Sequence, residues 1–492
     1  MKNNIIAIDQ STSATKAMLF DERCNMLGRC NIPHQQYYPK AGWVEHDAEE
    51  IYENMVKAVN GLFPNGLDAD VCYSLALTNQ RETVVVWSKN TGKPVYNALV
   101  WQDTRGVDIC RQLRNEGFAG MVQAKSGLLI DPNFSASGVK WLLDNVEGLR
   151  QAADGGELLM GTIDCWLVWK LTGGRAFATD YTNASRTMLF NIHTMDWDDE
   201  LLSLFDIPRS MMPALLPCDT IYGETTVDGL FAEPIQIAGV LGDSHGALVG
   251  QMCFKAGSGK VTYGTGSSVM VNIGEQPLEA PAGLVTSVGF TALGKTFFGY
   301  EGNIYSTGAT IKWLQDRLKI IADPSETDIE AMSVADNGGV YFVPAFAGLG
   351  APWWQSDIRA AILGMTFNTT RAHVLRAALE SIAYQIKDLV DVMTRGIGAQ
   401  LDEICADGGP TANKFLMQFQ ADLLGAEIVC TEVEDASALG AVIMNGFARK
   451  VWTGFDEVVK LRNIKMRIKP DAASCAIKYY DGWTKSVNTL IK

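Results

Sequence analysis

Asp9 ends the apolar run in IIAIDQSTSATKAMLF, residues 5–20, and is followed by Gln10, Ser11, Thr12 and Ser13, with Lys16 just before the next apolar run. An acid at a strand end, beside hydroxyls and backbone N–H groups, is placed to hold a metal-bound phosphate. A hairpin with a polar turn would read the same way over this segment alone. Three further polar turns follow apolar runs: Gly242-Asp243, Gly264-Thr265-Gly266, and Asp407-Gly408-Gly409 with Asn413. Glycine lets backbone N–H groups approach phosphate oxygens, threonine adds a donor, and an acid holds Mg²⁺. Together the four turns point to a phosphate site. It is not a Walker loop: Gly257-Ser258-Gly259-Lys260 is followed by Val261, and Phe254 stands where the first glycine is required. YGTGSSV and AGLGAPW also break the G-x-G-x-x-G spacing.

The elements that must carry these turns alternate. Apolar β-runs at Ser74 to Thr78, Val84 to Trp87, Ile235 to Leu241 and Val340 to Phe346 alternate with helical patterns, which predicts an α/β fold. One helix starts at Asp47, with Glu50 as a capping-box variant, and buries Ile51, Met55, Val59 and Phe63; a second spans about 373–393. IQIAGVLGDSHGAL and KVTYGTGSSVM repeat in the second half the theme of residues 5–20, so the turns of two related domains are expected to face one another across a cleft. We place the domains at 1–246 and 247–492.

With 492 residues, 41 Lys plus Arg against 56 Asp plus Glu and a net charge of −15, the chain is not built for nucleic acid or an anionic membrane. No run of some eighteen apolar residues occurs, and a cytoplasmic protein is expected. The ten cysteines show no metal-binding spacing and read as free thiols.

The blocks DQSTSATKA, YPKAGWVEHD, LTNQRET, GTIDCWLVWKLTGG, DYTNASRTMLFNIHTMDWDD, YGTG, VPAFAGLGAPWW, AAILGMTFNTTRAHVLRAALESIAYQ and DGGPTANKFLMQFQADLLG cover nearly the whole length. In them the chain resembles the FGGY carbohydrate kinases, most closely the glycerol kinase branch. The resemblance implies two actin/hexokinase-type (ribonuclease H-like) domains around a deep cleft where ATP and acceptor meet. By position it implies that Asp9 and Asp243 hold Mg²⁺ and that Asp243 is the catalytic base. Thr12, Ser13, Lys16, Thr265 and Gly266 fall at the ATP phosphates, and Gly308, Lys312, Gly409 and Asn413 along the nucleotide. Arg81 and Glu82 match the pair that grips acceptor hydroxyls, with Trp101 as an apolar wall. A small polyol or sugar partner and a homodimer or homotetramer are further implications.

The departures concern the acceptor. Asn133 stands where glycerol kinases carry Tyr, Ser244 and His245 where they carry two Gln, and Ser268 where a Phe closes the pocket; Asp103 is the acid that pentulose kinases use on sugar hydroxyls. Three of these changes remove volume, so a four- or five-carbon polyol or ketose is the expected acceptor, with glycerol the alternative. His245 reads as structural or acceptor-contacting rather than a proton shuttle. A non-catalytic actin-like ATPase would have no use for Arg81, Glu82 and Trp101 beside a strand-end Asp, and intact Asp9, Thr265 and Asp243 speak against a sugar-binding protein that has lost catalysis.

Overall fold

The computed structural model describes residues 2–68, 71–432 and 435–491. The first of its two large sheets holds β1 (Lys2–Gln10), β2 (Ala14–Asp21), β3 (Met26–Pro33), β4 (Val71–Asn79), β5 (Ile221–Thr225) and β6 (Ile235–Gly242), in the order β5-β6-β4-β1-β2-β3. Strand β4 runs parallel to both β1 and β6, and Ile5 to Ile8 are buried without alternation, as a strand covered on both faces requires. Register then places the chemistry: Asn79 lies opposite Gln10 on one side and Gly242 on the other. Asp9, the Arg81-Glu82 pair and Asp243 therefore emerge at one edge, the carboxyl ends of parallel strands, where α/β sheets bind ligands.

The second sheet repeats the device with β7 (Gly259–Tyr263), β8 (Ser267–Gly274), β9 (Val285–Ala292), β10 (Lys295–Ile304), β11 (Glu403–Asp407), β12 (Glu427–Thr431) and β13 (Ile464–Ile468), ordered β9-β10-β8-β7-β11-β12-β13. Strands β7 and β11 are parallel with Thr262 opposite Asp407, so the turns after Tyr263 and Asp407 share an edge.

Six helices matter for the site: α1 (Ala48–Gly61), α2 (Asp243–Gly250), α3 (Gly308–Asp316), α4 (Arg371–Ile397), α5 (Lys414–Leu424) and α6 (Ala436–Ala448). Helix α1 is capped by Asp47, whose Oδ1 accepts from Glu49 N at 2.9 Å and Glu50 N at 3.3 Å. The Glu50 carboxylate does not close a capping box; it accepts from Gln35 N at 3.1 Å. Helices α2 and α6 cross so closely that a Cβ on Gly440 would lie 2.0 Å from Gly246 O. Asn445 of α6 donates to Leu75 O and Ala238 O in the first sheet, tying the second half of the chain to the strands that carry Asp243. Of the run expected at Val340 to Phe346 only Tyr341–Val343 is strand, ended by Pro344. Among the described residues no helix is long and apolar enough to cross a membrane.

Candidate active site

Asp9 is buried, and its Oδ2 accepts from Lys16 Nζ at 3.1 Å. Lys16 also donates to Asp435 Oδ1 at 2.7 Å, so it bridges a β1 acid to the residue just before α6. Asp243 is the first residue of α2; its Oδ1 accepts from Ser244 N at 2.6 Å and faces Arg81 Nε at 3.1 Å. Burial pushes both carboxyls above their ordinary range, and the charge of Asp9 raises Asp243 further against the pull of Arg81. The buried Asp9 and the partly exposed Asp243, carboxylates that repel one another, fit a shared divalent cation. Among the described residues no cluster of three or more ligating side chains exists. Mg²⁺ takes one or two carboxylates and draws its remaining oxygens from phosphate and water, so the Asp9 and Asp243 carboxylates are a donor set it could use.

Arg81 and Glu82 do not pair with each other as a free diol grip. Arg81 forks onto Glu301, NH1 and NH2 each donating at 2.8 Å, while Glu82 Oε1 accepts from Arg186 Nε at 2.6 Å. Arg186 NH1 lies 2.8 Å from Glu301 Oε2, closing a buried arginine–glutamate quartet. Two guanidiniums hold the Glu301 carboxyl well below the usual range despite burial. Glu82 adopts a left-handed backbone, φ 63°, which turns its side chain out of the strand direction. Sequence reasoning missed Arg186 and Glu301. Both carried a signal, Arg186 inside the DYTNASRT block and Glu301 as a charge within the apolar run of β10.

At the acceptor side, Trp101 is 38% exposed and its indole N–H donates to Thr12 Oγ1 at 2.9 Å, joining the expected apolar wall to the first phosphate turn. Asp103 is corrected: Oδ1 accepts from Arg105 N and Nε, and Oδ2 from Val44 N and Arg105 NH2, all within 2.9 Å. Its acceptor sites are spent on holding Arg105 and the Val44 loop, leaving nothing for a sugar hydroxyl. Asn133 N donates to Asp131 Oδ1 at 3.0 Å, and its residue borders, with Glu82 and Trp101, a cavity of about 10 Å³, room for roughly one water. Ser244 is partly exposed at the start of α2, and Ser268 accepts from Lys260 Nζ at 3.2 Å. His245 is fully buried against Ser287 Oγ at 3.2 Å, and burial keeps its imidazole neutral, in line with a structural role.

The Gly264–Gly266 turn is docked on α3: Gly308 N donates to Gly264 O at 3.0 Å, and Thr307 N and Ala309 N donate to Thr265 O at 2.9 and 3.0 Å. Gly266 admits no side chain, since a Cβ would lie 2.2 Å from Ile304 O. Thr265, Ser13 and Lys312 are exposed and Thr12 partly so, open to a ligand. Gly408, at φ 97°, turns the chain into Gly409. Asn413 caps α5, its Oδ1 accepting from Leu416 N at 2.8 Å, while Nδ2 donates to Thr327 Oγ1 at 3.0 Å, which leaves the amide one further N–H and one lone pair.

The chain matches the N-terminal domain of the FGGY family of carbohydrate kinases over residues 4–250 and its C-terminal domain over residues 259–449. It is 47% identical over 489 residues to "Glycerol kinase 1" of Thermotoga maritima, covering 99% of each chain. With the glycerol kinase of Brevibacillus brevis it shares 45% over 489 residues, 99% of this chain and 98% of the relative. The Plasmodium falciparum glycerol kinase crystallised with ADP superposes with a TM-score of 0.94 at 36% identity, covering 100% of this chain and 99% of that one. A ligand-bound xylulose kinase from Lactobacillus acidophilus shares the fold, with a TM-score of 0.90 at 20% identity over 99% of this chain and 98% of that one.

Proposed function

The chain belongs to the FGGY family of carbohydrate kinases, and from that premise we propose that it transfers the γ-phosphoryl group of ATP to a terminal hydroxyl of glycerol, with Mg²⁺ held by Asp9 and Asp243. The observation that carries the proposal is Asp243 at the N-terminus of α2, beside Arg81 and within the field of Asp9. Phosphoryl transfer demands alignment and charge neutralisation more than covalent help. Asp243 accepts the proton of the attacking hydroxyl, a role its upward-shifted pKa favours. Glu82 and Arg81 orient the two neighbouring hydroxyls, each held in place by its partner in the buried quartet. Trp101 covers the carbon chain and, through Thr12, keeps the first phosphate turn in register with it. The Thr265 and Gly266 N–H groups and the Thr265 hydroxyl meet the phosphates, the Gly264 N–H being spent on Gly266 O. Bound Mg²⁺ supplies charge neutralisation on the phosphate oxygens.

Full-length identity to glycerol kinases favours glycerol over the larger acceptor expected from the pocket residues. A four-carbon acceptor remains a second reading on one observation: Ser268, with its Lys260 contact, brings polar groups where glycerol kinases close the pocket with Phe. The test is ADP release with MgATP and a panel of glycerol, dihydroxyacetone, erythritol, erythrulose, xylitol, ribulose and xylulose. Glycerol is expected to give the highest kcat/KM. A pentulose winning by about 100-fold would overturn the assignment.

A further inference from the structure

Lys260, which the mechanism above does not use, is 1% exposed. It stands opposite Met270 of β8, which stands opposite Glu301 of β10; in the next row Thr262, Ser268 and Asn303 are aligned. Aligned residues share a sheet face, and this face carries α2, because Met270 belongs to one apolar cluster with Leu248 and Val249. Lys260 therefore lies under the helix that begins with Asp243 and Ser244. Its Nζ donates to Thr262 Oγ1 at 3.1 Å and Ser268 Oγ at 3.2 Å, and among the described residues it forms no ion pair.

Burial pushes the Lys260 pKa down, the charges of Asp407, Glu301 and Asp243 pull it back up, and the two hydroxyls bond the ammonium form directly. They also acquire a direction. A serine oxygen that accepts from an ammonium is left with its O–H to donate, and the adjacent charge strengthens that donor. Both hydroxyls are partly exposed, and Ser268 is the one at the start of β8, directly after the Gly264–Gly266 turn.

We propose that Lys260 and Ser268 form an oxygen-recognising subsite, in which Lys260 positions the Ser268 O–H to donate to an oxygen on the acceptor beyond the hydroxyls held by Arg81 and Glu82. The inference rests on the kinase reading of this cleft. Glycerol has one hydroxyl to attack and two to be held, so it has no oxygen for the subsite; erythritol and erythrulose do. The subsite thus extends the acceptor range to four-carbon polyols and ketoses.

The experiment compares kcat/KM for glycerol, erythritol and erythrulose in the wild type, Ser268→Ala, Lys260→Met and the double variant, all with MgATP. Ser268→Ala, a small change at a partly exposed site, is expected to lower the four-carbon values about 10-fold or more and the glycerol value less than about 3-fold. Lys260→Met is expected to lower the same ratio, with no further loss in the double variant. Equal losses on all acceptors, or a wild type that takes glycerol and neither four-carbon compound, would overturn the subsite and leave the kinase reading intact. Absence of ADP release with every acceptor would overturn both.

Discussion

Replacing Glu301 by Gln removes the single charge that serves both guanidiniums of the quartet. Its oxygens accept from Arg81 at 2.8 Å twice and lie 2.8 Å from Arg186, and its side chain is 1% exposed. Gln keeps one acceptor but turns an NH₂ donor toward a second guanidinium, so the buried cluster loses one negative charge and leaves Arg186 to Glu82 alone and Arg81 to Asp243 alone. Breaking a buried pair in this way costs about 3–5 kcal/mol. Arg81, released from its fork, is left with Asp243, 3.1 Å from its Nε, as the nearest carboxylate. That draws the Asp243 pKa down and weakens the base, so the acid limb of kcat/KM moves to lower pH while the plateau falls. Urea unfolding followed by tryptophan fluorescence reads the first effect, and a pH–rate profile the second. A midpoint loss under about 1 kcal/mol together with an unmoved acid limb would refute the claim that Glu301 controls Arg81 and, through it, Asp243.

Two further outcomes follow from individual contacts. Gly266→Ala drives a Cβ to 2.2 Å from Ile304 O, so the turn must shift from α3; KM for ATP is expected to rise at least about 10-fold while acceptor binding, read by protection from thermal unfolding, is retained. Asp164 is buried beside Asp180 and pushed up to about 7, so the native state holds a proton that the unfolded chain releases near its ordinary 3.8. Stability is therefore full at low pH within this pair and falls as pH rises through about 4 to 7, a slope that Asp164→Asn should flatten in denaturation midpoints taken across that window.

How far the site was legible depends on where each residue's partner lies in the chain. Asp9, Asp243 and the Gly264–Gly266 turn were readable because each is announced by an apolar strand that ends beside it, and parallel pairing aligns such ends automatically. The α/β class and the helix begun at Asp47 were readable for the same local reasons. Arg186 and Glu301 were not, since Glu301 pairs with Arg81 across 220 positions and no local period records that. Asp103 misled because residue type shows what a side chain can bond, not whether its lone pairs are already taken by Arg105. Lys260 was set aside with the failed Walker pattern, although its burial, which only the folded sheet reveals, gives it a role of another kind.

The central claim is that Asp243 accepts the proton of a glycerol hydroxyl during transfer from ATP. Acceptor-dependent ADP release measured for the wild type and Asp243→Asn tests it most directly. The account predicts turnover of glycerol by the wild type and a loss of kcat of at least about 100-fold in the variant. A variant that keeps full turnover on glycerol would contradict it.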